Sequence, residues 1–182
     1  AWFARMQIPV LLSSLLLLTF FGPICWLIRP HRFRRFVWLA SIPPALITAM
    51  LLGQVNEVSH GGIIEELYAW SPQLGLELSF RLDGLALMFG LIVAGIGAAV
   101  SLYTGYYLEA DHRQGYFYSL LFWFMTSMLG IVWSDNLLTL FVFWEGTSIT
   151  SYLLIGFKDD DKKARDGSRQ AFLVTGIGGL AM

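Results

Sequence analysis

Residues 127–157 read SMLGIVWSDNLLTLFVFWEGTSITSYLLIGF. Two apolar stretches, 117–134 and 137–156, meet inside this segment. Each falls in the range of roughly 17–25 residues that a helix needs to cross a bilayer. One carboxylate, Glu145, interrupts the second, between the flanks Leu137–Trp144 and Tyr152–Phe157. Ionisable groups within a membrane span are costly and mark functional sites, so one stretch raises the questions of fold and function together.

The remainder of the chain agrees with a membrane reading. Of 182 residues, 56% are hydrophobic and 14% charged, against about 25% charged in soluble domains. The net charge of −1 offers no bulk basic surface for nucleic acid. The single cysteine, Cys25, excludes an internal disulfide, a cysteine-ligated zinc site and an iron–sulfur cluster. It reads as a small apolar residue in a span. Arg5 followed by a leucine-rich run resembles a signal peptide. The run continues to Ile28 without a small-x-small cleavage site, which makes it a first transmembrane helix.

Further spans are expected at 8–28, 37–53 and 83–106, and a sixth begins near Gln170 and stops at Met182. A helix ending mid-membrane leaves about four carbonyls unpaired, and the chain opens on Ala1, so the expectation is a piece of a longer protein. Pro43-Pro44 is expected to kink or divide the second span. Gly90, Ala94 and Ala98, with Gly95 and Ala99 beside them, form a small-residue stripe suited to close helix approach. Arg29, Arg32, Arg34, Arg35, Arg113, Lys158, Lys162, Lys163, Arg165 and Arg169 fall on one side of this map, and only Arg5 and Arg81 on the other. The positive-inside rule then predicts an external N-terminus.

Between the second and third spans the periodicity changes. QLGLELSFRL (73–82) alternates apolar and polar residues, the signature of a strand with one buried face, and IIEELYAW (63–70) is its expected hairpin partner. The buried face suits either a neighbouring domain or the ends of this chain's own helices. Asp83 is placed to cap the third span. The organisation is therefore all-α and membrane-integral: helices one and two in 1–53, an external hairpin in 54–82, helices three to five in 83–157, a cytoplasmic loop at 158–169, and a truncated sixth helix at 170–182.

Of 13 acidic residues, twelve fall in loops or at span edges, and Glu145 alone does not. It lies roughly 12 Å into its helix at 1.5 Å per residue, near the midplane of a core about 30 Å thick. Burial favours the neutral acid and a cationic partner favours the carboxylate, so a group held between the two can exchange a proton. The plainer alternative is a neutral acid bridging two helices. Ser148, Ile149 and Tyr152 share its helix face by spacing, and Thr147, Ser148, Thr150 and Ser151 supply hydroxyls, although each commonly bonds its own helix carbonyl. KDDDKKARDGSRQ (158–170) reads as a solvated loop. Its aspartates lack EF-hand spacing, and His31, His60 and His112 lie in separate loops. No nucleotide, metal or nucleophile motif is present, so no cofactor is expected.

SMLGIVWSDNLLTLFVFWEGTSITSYLLIGF followed by QAFLVTGIGGLAM (170–182), with the passage from Trp70 to Ala86, resembles the proton-translocating antiporter-like family. That family includes the large A subunit of Mrp-type multisubunit Na⁺/H⁺ antiporters and the L subunit of respiratory complex I. FWE-x-TS-x-TSYLLIGF is more similar to the Mrp branch, whereas Gly146 matches the complex I branch. Gly176 and Gly179 stand where complex I relatives carry Arg and Asp. The resemblance implies that Glu145 is a proton-carrying carboxylate, paired with a lysine on a later broken helix, with Ser148 and Tyr152 as lesser candidates for lining its path. It also implies a hetero-oligomeric complex in a bacterial or archaeal cell membrane, with H⁺ and Na⁺ as cargo. A proton-pumping arm of an oxidoreductase and a non-transporting scaffold are the competing readings.

Overall fold

The computed structural model describes residues 9–27, 33–71, 73, 76–108, 113–157 and 162–180, with backbone alone for 33–36 and 180. Arg5, Arg29, Arg32, Lys158, His31, His112 and residues 159–161 lie outside the described residues, as do the side chains of Arg34 and Arg35. The elements run α1 (Val10–Leu27), α2 (Phe33–Ser59), β1 (Ile64–Ser71), β2 (Leu76–Leu82), α3 (Gly84–Tyr107), α4 (Gln114–Trp133), α5 (Leu137–Ile155) and α6 (Lys162–Leu180). Stretches of α1 to α5 are long and apolar enough to cross a membrane, and the chain is a multi-pass integral membrane protein.

Two boundaries differ from expectation. α2 runs unbroken through Pro43-Pro44 to Ser59, six residues past the expected end, because Gln54, Asn56 and Glu57 can leave the bilayer while the backbone stays helical. α6 starts at Lys162, well before Gln170, so most of the expected 158–169 loop is helix. Lys, Ala, Arg and Gln are good helix formers, and a charged first turn is stable once it stands in water or headgroups.

α4 forms the centre of the bundle, with α1, α3 and α5 packed on it, α2 on the far side of α3 and α6 on the far side of α5. Tyr118, Phe122, Leu129 and Trp133 are fully enclosed along its length. The buried small-residue seam of α3 runs Gly90, Ala94, Gly97, Ser101, Thr104. It departs from the expected stripe at Ala98, which is only partly buried, because strict four-residue spacing drifts off a face that alternating steps of four and three hold. A Cβ at Gly97 would collide with Met125, and one at Gly105 with Val37. Across this seam Tyr118 Oη donates to the Ser101 carbonyl (2.6 Å) and Gln114 Nε2 to that of Gly105 (3.1 Å).

β1 and β2 pair antiparallel, with Ile64 opposite Leu82 and Tyr68 opposite Leu78. Of the two uses open to its apolar face, the hairpin takes the internal one. Phe80 and Leu82 are buried in the helix core, and β2 packs against α3, α4 and α5. The outer edge of β2 is sealed by the α4–α5 connection. Asp135 N donates to Ser79 O (3.0 Å), Ser79 N to Thr139 Oγ1 (3.0 Å) and Asn136 Nδ2 to Glu77 O (2.9 Å), which occupies groups a free edge would expose. Glu66 accepts from Leu11 N and Leu12 N, both at 2.9 Å, satisfying two orphan donors at the start of α1. Asp83 caps α3 through Ala86 N (2.9 Å), as its position predicts, and Asn136 caps α5 through Thr139 N (2.7 Å).

Candidate functional site

Glu145 projects from the middle of α5 toward α6. It is half-buried, and its Oε1 is enclosed with no hydrogen-bond partner among the described residues. Oε1 lies against Gly179 so closely that a Cβ there would collide with it. The same Cβ would stand 2.9 Å from Trp144 Cδ1, and Trp144 Nε1 reaches the Thr175 carbonyl at 3.4 Å. The carboxyl group and its neighbouring indole are therefore packed into a notch on α6 that exists because Gly179 has no side chain. Leaving a buried polar group unpaired costs about 1–3 kcal/mol. A sequence with hydroxyls on both sides could have supplied a donor, and none is aimed at Oε1.

The hydroxyls after Glu145 are turned to their own helix. Thr147 Oγ1 and Ser148 Oγ both donate to the Trp144 carbonyl (2.7 and 3.2 Å), Thr150 Oγ1 to Gly146 O (2.7 Å) and Ser151 Oγ to Ser148 O (3.3 Å). Ser148 is buried, whereas Ile149 is 49% exposed, so the two do not share one environment. Tyr152, half-buried, packs its ring 5.4 Å from Phe172 of α6. It is seven residues from Glu145, roughly 10 Å along the helix, and lines a different cavity with Arg113, Arg165 and Arg169. The structure brings Glu145 together with Trp144, Thr175 and Gly179, and does not bring it together with Tyr152.

Two close approaches hold α5 in this orientation. A Cβ at Gly146 would come within 2.5 Å of Ser127 Oγ, and one at Gly130 would collide with the Phe143 ring. These contacts press the face opposite α6 onto α4. Spacing within α5 cannot reveal them, because they depend on which face meets which helix. The signal for Gly179 is present in the sequence as the small-residue run Gly176, Gly178, Gly179, although only packing identifies the residue it accommodates. Among the described residues no three metal-ligating side chains cluster.

Two family profiles match the chain. The one described as NADH-Ubiquinone oxidoreductase (complex I), chain 5 N-terminus, matches residues 70–118. The one described as NADH:quinone oxidoreductase/Mrp antiporter, TM, matches residues 134–182, which include Glu145 and Gly179. A probable K⁺/H⁺ antiporter A/B subunit of Rhizobium meliloti is 40% identical over 173 residues, covering 94% of this chain and 17% of the relative. The Na⁺/H⁺ antiporter large (A) subunit of Alkalihalophilus pseudofirmus is 38% identical over 146 residues, covering 80% of this chain and 18% of the relative. Among solved structures, the Mrp complex from Dietzia sp. DQ12-45-1b matches with a TM-score of 0.75 at 33% identity, over 93% of this chain and 18% of that one. The archaeal membrane-bound sulfane sulfur reductase shares the fold, with a TM-score of 0.71 at 21% identity over 98% of this chain and 26% of that one. The chain spans under a fifth of the length of the curated relatives cited here.

Proposed function

From a chain that belongs to the proton-translocating antiporter-like family, we propose a membrane subunit of a multisubunit cation/proton antiporter of Mrp type, in which Glu145 carries or couples the proton. The observation that carries this reading is the enclosed, unpartnered Oε1 of Glu145 against Gly179. An acceptor left unpaired at that cost is poised for a proton, a water or a cationic side chain. The matched relatives are named as antiporter subunits and the Mrp match is a complex, which supports a transporter subunit with membrane-subunit partners over an enzyme. H⁺ is the common cargo of those names. Na⁺ appears in one and K⁺ in the other, and Na⁺ is the cation proposed here.

The basic residues at the end of the bundle that holds the α4 N-terminus, the α5 C-terminus and the start of α6 support a cytoplasmic orientation for that end. The hairpin and the N-terminus are then external. Ser148 contributes by fixing the backbone beside Glu145, since its own hydroxyl is engaged by Trp144 O. A proton-pumping arm of an oxidoreductase is the second reading, favoured by the wording of both family profiles. In that case Glu145 has the same role and redox centres sit on other chains.

The test is Glu145→Gln in the intact complex reconstituted in vesicles. Glutamine preserves shape and removes the titratable proton. Na⁺-driven proton flux is expected to fall at least tenfold with assembly unchanged, and normal flux in an assembled Gln variant rejects the role. Flux driven only by quinone or hydrogen oxidation would select the second reading.

A further inference from the structure

A second polar site lies where α4 begins, α5 ends and α6 begins. There a cavity of about 250 Å³ is lined by Arg113, Arg165 and Arg169, with Tyr116, Tyr152 and Ser168. No carboxylate among the described residues lines it. The arrangement is built rather than incidental. The Arg113 guanidinium stacks over the Phe157 ring at 5.0 Å, and the Tyr116 ring stacks on Phe157 as well, at 6.3 Å between centroids. Ser168 is buried with its Oγ committed to the Arg165 carbonyl at 2.9 Å. Gly156 lets α5 end against Ser168, whose Oγ would stand 3.3 Å from a Cβ at that position.

From this geometry we propose that the cavity binds a phosphate-bearing anionic headgroup. Planar guanidinium forks match phosphate oxygens in bidentate fashion, and phenols and an interfacial position suit the glycerol end of a lipid. The volume falls just under the roughly 300–1,000 Å³ of pockets for drug-sized ligands, fitting a headgroup and not a larger cofactor. Its surroundings favour a lipid as the source. Exposed Ile155 adjoins the lining residue Gly156, and Phe172, itself 40% exposed, packs on Tyr152, so acyl chains descending from the site would meet apolar side chains. Basic pockets between transmembrane helices are a general mode of anionic-lipid capture. The proposal is independent of Glu145.

The test uses the intact complex, delipidated and placed in phosphatidylcholine nanodiscs with trace photoreactive phosphatidylglycerol. Crosslinks are expected in the peptides spanning 113–116, 152–157 and 165–169, and their absence from all three overturns the proposal without requiring any variant. Arg165→Gln/Arg169→Gln is then expected to lower phosphatidylglycerol retention at least tenfold. Lys162→Gln/Lys163→Gln, with the same charge change on the same helix, should leave it within twofold. Equal losses in both pairs reduce the effect to bulk charge and overturn the site. Inorganic phosphate at millimolar concentration separates the sources. Failure to displace the lipid supports a headgroup, whereas saturable phosphate binding lost only in the arginine pair supports a free anion at the same site.

Discussion

Glu145 and Gly179 face each other across the α5–α6 contact, and their energetics are coupled. A methyl group added at Gly179 would occupy the position of Glu145 Oε1, so either the helices part or the carboxyl turns away from its notch. Gly179→Ala is therefore expected to destabilise the bundle by about 1–3 kcal/mol, the usual cost of overpacking. Proton flux should fall even though Glu145 is intact. Thermal unfolding and vesicle flux on the same preparation check both halves, and an unshifted melting temperature with full flux would show that α6 moves aside freely. A carboxylate in an apolar run is visible from residue type alone, because its cost is set by the bilayer. The direction that carboxylate points is not, since on a helix every residue has neighbours on two faces and the sequence does not say which face α6 covers.

At the scale of elements, the external hairpin does more than cover the bundle. Glu66 closes the start of α1 from 55 residues away, placing a carboxylate where the exposed amides and the helix dipole favour negative charge. Glu66→Ala should lower stability by about 0.5–2 kcal/mol, the range for loss of an N-cap. Increased amide exchange at Leu11 and Leu12 should accompany it, and unchanged exchange there would reject the capping role. Tyr68 donates to Glu66 Oε2 at 3.1 Å, and its phenol is pushed up to about 12 by burial, then by the Glu66 charge and by that bond. A raised value favours the protonated phenol. Its contribution is thus complete below roughly pH 10, the ordinary tyrosine value, and is lost as pH rises through about 12. The tyrosinate absorbance of the parent minus that of Tyr68→Phe should titrate with a midpoint near 12; a midpoint near the ordinary value would mean the bond is not formed in solution. Strand alternation and the Asp83 cap were legible because both are local patterns. The Glu66 cap was not, because its donors belong to a helix distant in the chain.

For the whole molecule, the hairpin stands at one end of the bundle and the described basic residues of α4 and α6 at the other. In a cysteine-free background of the full-length protein, Glu57→Cys is expected to react with an impermeant maleimide added to intact cells, and Lys162→Cys only after permeabilisation. The reverse pattern would invert the proposed topology. The number, order and approximate limits of the spans, and the hairpin between the second and third, were determined by the sequence itself. Within a bilayer each helix must satisfy its own backbone hydrogen bonds, so an apolar run of sufficient length is a complete instruction. The early start of α6 escaped that logic because charge content marks where the membrane ends and not where the helix does. Only tertiary structure decided that α4 is the hub, that the hairpin folds back onto its own helices, that Glu145 rests against Gly179 rather than Tyr152, and that three arginines from two separate helices line one cavity. Each of these depends on which faces meet after helices of similar apolarity pack. In a lipid-like environment that choice is made by small-residue fit and side-chain shape, which hydropathy along the chain does not encode.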